Sequence, residues 1–416
     1  MKINILDNYA YDDVKTNATT VIQNAINECN MKGAKEVVIP KGDYLIDGIV
    51  LKSNVTLHLQ KDCHLIGTGD ESKYTLREGP FELNKNNTPI SALIFAKNQT
   101  NIAITGEGTI DGNYQKFIYP DQQDEVHLKF YKYPRPMTIY LENTSNILLK
   151  DFKIIDAPFW TVHLVGCCNS EVDNVTIRNE MRMPNTDGFD IDRSKNTYIH
   201  DCDIVTGDDA ICPKCTQETM KYGDCSDLIV NNCKIKTESS AVKFGSSSFG
   251  NFINCKFSNL NIRDTNRGLT FQLRDPGNAE NILFENIKIL TKHYSKEWWG
   301  TGEPIFISIL PRDEETDMSG HYINNVIFKN IDCNVENGIF IGSENDDMIN
   351  NLTFDNIKIV LRKDMYSNTD FDLRPWKGTD KIENHKLKIV NTLNKNNYVI
   401  KNLRAYDKNG LITNIR

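Results

Sequence analysis

Short apolar alternations recur along most of the chain. The series begins with NIAITGEGTIDG at Asn101, SNILLKDFKII at Ser145, NSEVDNVTIRN at Asn169 and KNTYIHDCDIVTG at Lys195. It continues with SDLIVNNCKIKT at Ser226, GNFINCKFSNLNI at Gly250, AENILFENIKIL at Ala279, NNVIFKNIDCNV at Asn324 and NNLTFDNIKIVL at Asn350. Most begin roughly 24 to 31 residues after the one before, with longer gaps ahead of Ser145 and Asn324. Each holds a few Ile, Val, Leu and Phe on a period of two with polar residues between them, the pattern of a half-buried strand. One such segment cannot enclose a core, whereas stacked segments share one, so the repeat predicts a solenoid. Asn and Gly at the segment edges suit left-handed turns between strands. A leucine-rich repeat would need a Leu-x-x-Leu-x-Leu signature, and Ile, Val and Asn dominate instead. The expected fold is therefore all-β: a single-stranded parallel β-helix, right-handed as parallel crossovers are.

The first fifty residues break the pattern. TTVIQNAINECNMKG places Val21, Ile22, Ala25 and Ile26 on one helical stripe that ends at Gly33. A capping helix over the open end of the solenoid is expected there, with residues 1–60 forming the cap and first coils. Two polar or aromatic stretches lack the repeat and read as loop insertions, 112–133 and 292–317, which account for the two long gaps. The second contains Tyr294, Trp298, Trp299 and Phe306. Long loops in compact proteins are disproportionately functional. No stretch reads as a linker, so residues 1–416 are expected to be a single domain.

Charge and cysteine content narrow the function. A net charge of −8 leaves no basic excess to displace counterions from phosphates, which argues against a nucleic-acid partner. No window approaches the roughly 18–20 apolar residues of a membrane span, and the N-terminus lacks the apolar stretch of a secretion signal. Eleven cysteines, an odd number, point to free thiols in a reducing compartment. A cytoplasmic location is expected, with a mature secreted form as the alternative. Cys212-x-x-Cys215 with Cys225 and Cys233 loosely imitates a zinc site, but the irregular spacing favours buried thiols and no metal or cofactor. Nothing in the sequence bears on oligomeric state.

The chemistry concentrates in NTDGFDID, Asn185 to Asp192, and TGDDAI, Thr206 to Ile211. Asp187 and Asp208 stand 21 residues apart, about one coil. Successive coils stack at roughly 4.8 Å, so Asp187 is expected near Asp208 and Asp209. Taken singly, Asp-Gly and Gly-Asp-Asp are ordinary turn sequences, and a carboxylate cluster can also hold calcium. Two such motifs one coil apart favour catalysis. Crowded carboxylates cannot all ionise easily, so one is expected to stay protonated while another stays charged. Glycoside hydrolysis needs that combination: an acid for the leaving oxygen and a charged partner as base or nucleophile.

NTDGFD and GDD resemble the two aspartate signatures of glycoside hydrolase family 28, the polygalacturonase family. VIQNAI, VVIPKGDYLIDGIVLKSNVTLHL, GEGTIDG and RPMTIYLENTSNILLKDFKIIDAPFWTVHL extend the similarity over nearly the whole chain. The resemblance implies a pectin-lyase-like solenoid and an inverting hydrolase with Asp208 as general acid and Asp187 and Asp209 activating water. It also draws in Asn185, Asp190 and Lys214, although Asn185 could equally belong to an asparagine ladder. Two substrate-binding motifs are altered. The family's Gly-His-Gly segment is replaced within SSAVKFGSSSFG, with Ser240 in place of the histidine. Its Arg-Ile-Lys segment, which grips substrate carboxylate, becomes Thr270, Phe271 and Gln272. Losing the lysine removes a point charge, leaving Lys243, Arg267 and Arg274 as alternative cations, each of which could instead be a structural ion-pair residue. Trp298 and Trp299 offer sugar-stacking faces, at least one of them being expected to pack the loop instead, and Glu303 offers a polar contact.

The expected substrate is a pectin-derived oligosaccharide of the galacturonan or rhamnogalacturonan type, attacked from one end. A β-helix lyase is the rival enzyme reading; it would use an Arg or Lys base and calcium. A spike or adhesin is the non-enzymatic rival, in which the paired aspartates would have no purpose.

Overall fold

The computed structural model describes residues 2–8, 17–33, 35–77, 79, 81, 90–132, 134–364 and 367–413. Residues 1, 9–16 and 34 of the expected cap, and Tyr133 at the edge of the first expected insertion, lie outside these. The chain forms two compact units, Met1–Gly207 and Asp208–Arg416. Both are parallel β-helices.

In the first unit three strand faces run in parallel register. One carries Glu36–Ile39, Thr56–Leu59, Thr100–Thr105, Ser145–Lys150, Cys168–Asp173 and Lys195–His200. The second carries Gly42–Ile46, Cys63–Gly67, Thr109–Asp111, Lys153–Ile155, Thr176–Arg178 and Asp203–Thr206. The third carries Ile49–Val50, Ser91–Lys97, Met137–Glu142, Val162–Val165 and Phe189–Asp192. Helix Thr19–Lys32 buries Val21, Ile22, Ala25, Ile26 and Cys29 against the first strands, and Gly33 ends it in the left-handed region at φ 63°. It is the only α-helix longer than four residues among the described residues.

The second unit stacks Cys225–Asn231, Phe252–Ser258, Ala279–Thr291, Ile323–Val335 and Ile349–Leu361 on one side. Beside them run Ile211–Lys214, Lys234–Ser246, Asn261–Leu273, Ile305–Ile309, Ile339–Ser343 and Val390–Leu393. The expected insertion 292–317 is therefore interrupted by a strand. The run IFISI alternates like the other coils, and its surroundings of Trp, Gly and acids obscured it. A separate antiparallel hairpin pairs Asn368–Asp372 with Lys381–Lys386.

In-register stacking puts like residues above like. Asn101, Asn146, Asn169 and Asn196 all take left-handed backbone angles, and each side-chain amide donates to the carbonyl oxygen of the asparagine one coil before. The ladder skips 45 residues at Asn146 but 23 and 27 at the next two steps, which locates the first insertion. In the second unit Asn281 and Asn325 bond across 44 residues, bracketing the second insertion. Asparagine tolerates positive φ better than other non-glycine residues, and its amide then joins neighbouring turns.

Inside the second unit aromatic rings stack in the same register. Phe257, Phe284, Phe328 and Phe354 follow one another at ring separations of 5.0, 5.1 and 5.2 Å, while Phe244 faces Phe271 at 4.6 Å. All are buried. Phe284→Ala is expected to lower stability by about 3–5 kcal/mol, the range for a core Phe→Ala cavity. Urea unfolding of the two proteins measures it, and a loss below about 1 kcal/mol would mean the stack closes over the gap.

Candidate active site

Both acidic motifs sit at the start of a strand. Asp187 comes two residues before strand Phe189–Asp192 in the first unit, and Asp209 two residues before Ile211–Lys214 in the second.

In the first unit the segment around Asp187 is held from several sides. The Asp187 carbonyl accepts the Thr161 amide at 2.8 Å, and Asp187 itself is buried. Asn185 has a left-handed backbone, φ 58°, and its side-chain oxygen accepts from Arg135 Nη2 at 2.9 Å. Asp190 is buried and lies in register with His163, whose Nε2 is 3.3 Å from Asp192 Oδ2. The first insertion supports this segment: Tyr114 and Leu128 pack on Met183, and Arg182 Nη1 donates to the carbonyls of Gln122, Gln123 and Glu125. Arg135, fully buried, lays its guanidinium 3.7 Å from the Phe130 ring centre. Sequence reasoning singled out neither Arg135 nor Arg182. For Arg135 the available signal was its place just after the first expected insertion; Arg182 carried none.

In the second unit Asp209 is bound from three sides. It accepts Lys243 Nζ at 2.7 Å on one oxygen, and the Ser239 hydroxyl at 2.8 Å and the Ser240 amide at 3.1 Å on the other. Burial alone would push its carboxyl up, but the Lys243 and Lys214 ammonium groups and the Ser239 hydroxyl outweigh it and hold it below the ordinary value. Of the crowded aspartates, Asp209 is therefore one that stays charged. Asp208, half-buried, accepts the Asp209 amide at 3.0 Å, and its carbonyl accepts the Thr237 hydroxyl at 2.6 Å. Lys243, read from the sequence as either a substrate cation or an ion-pair residue, is the buried ion-pair partner of Asp209, 6% exposed. Ser240 is likewise committed through its backbone. Lys214 is buried.

The remaining expected ligands of the second unit belong to a structural anchor. Arg267 Nε lies 3.4 Å from Glu303 Oε2, both residues are buried, and the guanidinium stacks 3.7 Å from the Phe306 ring centre. Glu303 also accepts the Thr301 amide at 2.8 Å and hydroxyl at 2.9 Å. Arg267 Nη2 donates to the Asp372 carbonyl, Arg274 Nη2 to the Leu373 carbonyl and Gln272 Nε2 to the Arg374 carbonyl. Three consecutive carbonyls of the hairpin segment are thus gripped by side chains that the sequence offered as candidate substrate ligands, the two arginines equally as structural residues. The reason is local: the hairpin, more than 90 residues further along the chain, lies on this strand face and needs donors for its buried carbonyls. Trp298 is buried at 3% exposure, whereas Trp299 is half-buried with its ring centre 5.2 Å from Lys243 Nζ. The thiols of Cys212, Cys215 and Cys233 each donate to a separate backbone carbonyl, those of Gly245, Asn251 and Asn231.

The Lys243–Asp209 pair makes two predictions. Lys243→Met strands a buried carboxylate and is expected to cost about 3–5 kcal/mol of stability at neutral pH, measured by urea unfolding. The pH dependence should also change sign. In the native protein the depressed Asp209 value contributes stability that is present above the unfolded value of about 3.9 and vanishes as pH falls through the folded value. In the variant, burial without the lysine raises the folded value, so relative stability should improve on acidification through that range. A variant with an unchanged pH profile would mean that Lys243 does not govern Asp209.

Residues 29–374 match the description "Glycosyl hydrolases family 28". A probable polygalacturonase of Vitis vinifera is 27% identical over 70% of this chain, which spans 60% of that relative's length. An endo-polygalacturonase of Pectobacterium parmentieri is 24% identical, with 82% of this chain and 84% of the relative covered. Among solved structures, an exopolygalacturonase from Thermotoga maritima superposes with a TM-score of 0.71 at 20% identity, covering 98% of this chain and 91% of that one. The fold is thus shared with a polygalacturonase parallel β-helix, and the family match covers both acidic motifs. The chain is a glycosidase that belongs to glycosyl hydrolases family 28.

Proposed function

We propose that the chain hydrolyses an α-glycosidic bond in pectin-derived oligosaccharides of the galacturonan or rhamnogalacturonan type. Asp208 protonates the leaving oxygen, and Asp187 and Asp209 activate water for attack on the opposite face of the sugar, with inversion. The observation that carries this reading is the asymmetry of two adjacent aspartates. Asp209 is buried and held charged by Lys243, while Asp208 beside it is half-buried and so closer to solvent. Carboxylates whose environments differ in this way divide naturally into acid and base. Asp187, at the same offset ahead of its strand as Asp209, completes the set.

Attack at a chain end is favoured by the hairpin Asn368–Asp372 with Lys381–Lys386, which covers part of the strand face beyond Lys243. Eleven free thiols, ten of them buried, fit a reducing compartment, and the proposal places the enzyme in the cytoplasm on imported oligosaccharides.

The test is digestion of defined oligogalacturonates and rhamnogalacturonan oligosaccharides, with product anomers followed by proton NMR. Release of a terminal sugar with inverted configuration is expected. Asp208→Asn should reduce turnover by about 10²–10⁴-fold, the usual contribution of a general acid, with the melting temperature unchanged. No released sugar from any substrate would overturn the proposal, and an unsaturated product absorbing in the ultraviolet would establish the lyase alternative.

A further inference from the structure

In the first unit Asp187 is held both behind and ahead along the chain. Behind it the strand ladder serves: the Thr161 and Val162 amides donate to the Asp187 and Gly188 carbonyls at 2.8 and 3.0 Å. Ahead of it the chain leaves strand Thr176–Arg178 and enters Phe189–Asp192 only after ten residues. No ladder fixes that turn, so side chains must. Two buried neutral residues, Asn179 and Thr186, do so.

Asn179 uses both ends of its amide. Its oxygen accepts the Ala157 amide at 3.1 Å, and its Nδ2 donates to the Thr161 hydroxyl at 2.7 Å and to the Thr186 carbonyl at 3.3 Å. Thr161 is the residue whose own amide holds the Asp187 carbonyl, so one side chain joins the two sides of the turn. The Thr186 hydroxyl closes a second clasp. It donates to the Met183 carbonyl at 2.8 Å and accepts the Gly207 amide at 3.1 Å. A Cβ at Gly207 would stand 2.3 Å from the Met183 carbonyl oxygen and 2.8 Å from Thr186 Oγ1, so only glycine permits this approach. Thr186 directly precedes Asp187, and Gly207 directly precedes Asp208. A hydroxyl suits this place because it donates and accepts at once, whereas a valine of the same shape does neither.

We propose that Thr186 and Asn179 are positioning residues for the hydrolysis. The Thr186 hydroxyl ties the peptide ahead of Asp187 to the peptide ahead of Asp208, and Asn179 ties the same turn to Thr161. Both act through Asp187, by fixing the backbone from which its carboxylate projects. The proposal rests on the hydrolase reading above, in which Asp187 activates water, and adds the groups that keep that carboxylate in place. Such groups matter for rate because a misplacement of about 1 Å can cost about 10²-fold.

Two measurements on the full chain test this: steady-state turnover of the oligosaccharides named above, and hydrogen–deuterium exchange of the peptide spanning residues 180–188. Thr186→Val keeps the shape and removes the hydroxyl. It is expected to lower kcat by about 10–10²-fold with KM unchanged, and to speed exchange in that peptide. Thr186→Ser, which keeps the hydroxyl, should return both close to native. Asn179→Ala should lower kcat in the same way, and it keeps the test decisive if the valine variant does not fold. The control is Thr197→Val on strand Lys195–His200, a buried threonine whose hydroxyl has no partner among the described residues; it should alter neither quantity. Native kcat in either folded variant, unaltered exchange in Thr186→Val, or a serine variant as slow as the valine one would overturn the assignment. Failure of the hydrolase reading looks different: native protein releases no sugar, and the contrast in exchange between valine and serine then decides whether the clasp orders the turn ahead of Asp187.

Discussion

Parallel register is the constraint on which the rest depends. A coil hydrogen-bonded in step with its neighbours places each residue above its counterpart, so one choice of side chain is repeated along a whole face. Where the counterpart is asparagine in a left-handed turn, an amide ladder results; where it is phenylalanine, a stack of rings. The same rule fixes the chemistry. An aspartate two residues ahead of a strand keeps its height and direction because the strand behind it cannot slip without carrying every inward side chain to the wrong face.

Against that rigid frame the polar groups of the second unit divide into two systems. One surrounds Asp209, where a buried ammonium, a hydroxyl and a backbone amide together overcome the cost of burying a carboxylate. The other joins Arg267, Gln272 and Arg274 to consecutive carbonyls of the hairpin. The two meet at Trp299 and Gly300, so the insertion is the mechanical link between the charged site and the covering hairpin.

Much of this was legible in the sequence. The coil period, the capping helix with Gly33 at its end and the two acidic motifs follow from local spacing, which a solenoid translates directly into position. The strand Ile305–Ile309 was hidden because Trp298, Trp299 and the acids around it broke the alternation on both sides. Long-range contacts were not legible at all. Lys243 looks the same in a sequence whether it faces a ligand or an aspartate 34 residues away. Arg267, Gln272 and Arg274 could not be assigned, because their partners lie about a hundred residues further on, in a hairpin with no family signature.

A grip on carbonyl oxygens reads the path of a chain and ignores what the chain carries. The segment from Asp372 to Arg374 is anchored in this way at three successive peptide groups. What anchors these peptide groups is therefore written in the strand face, at positions 267, 272 and 274. A change at one of those three positions would release a carbonyl of the covering segment without altering that segment's own sequence.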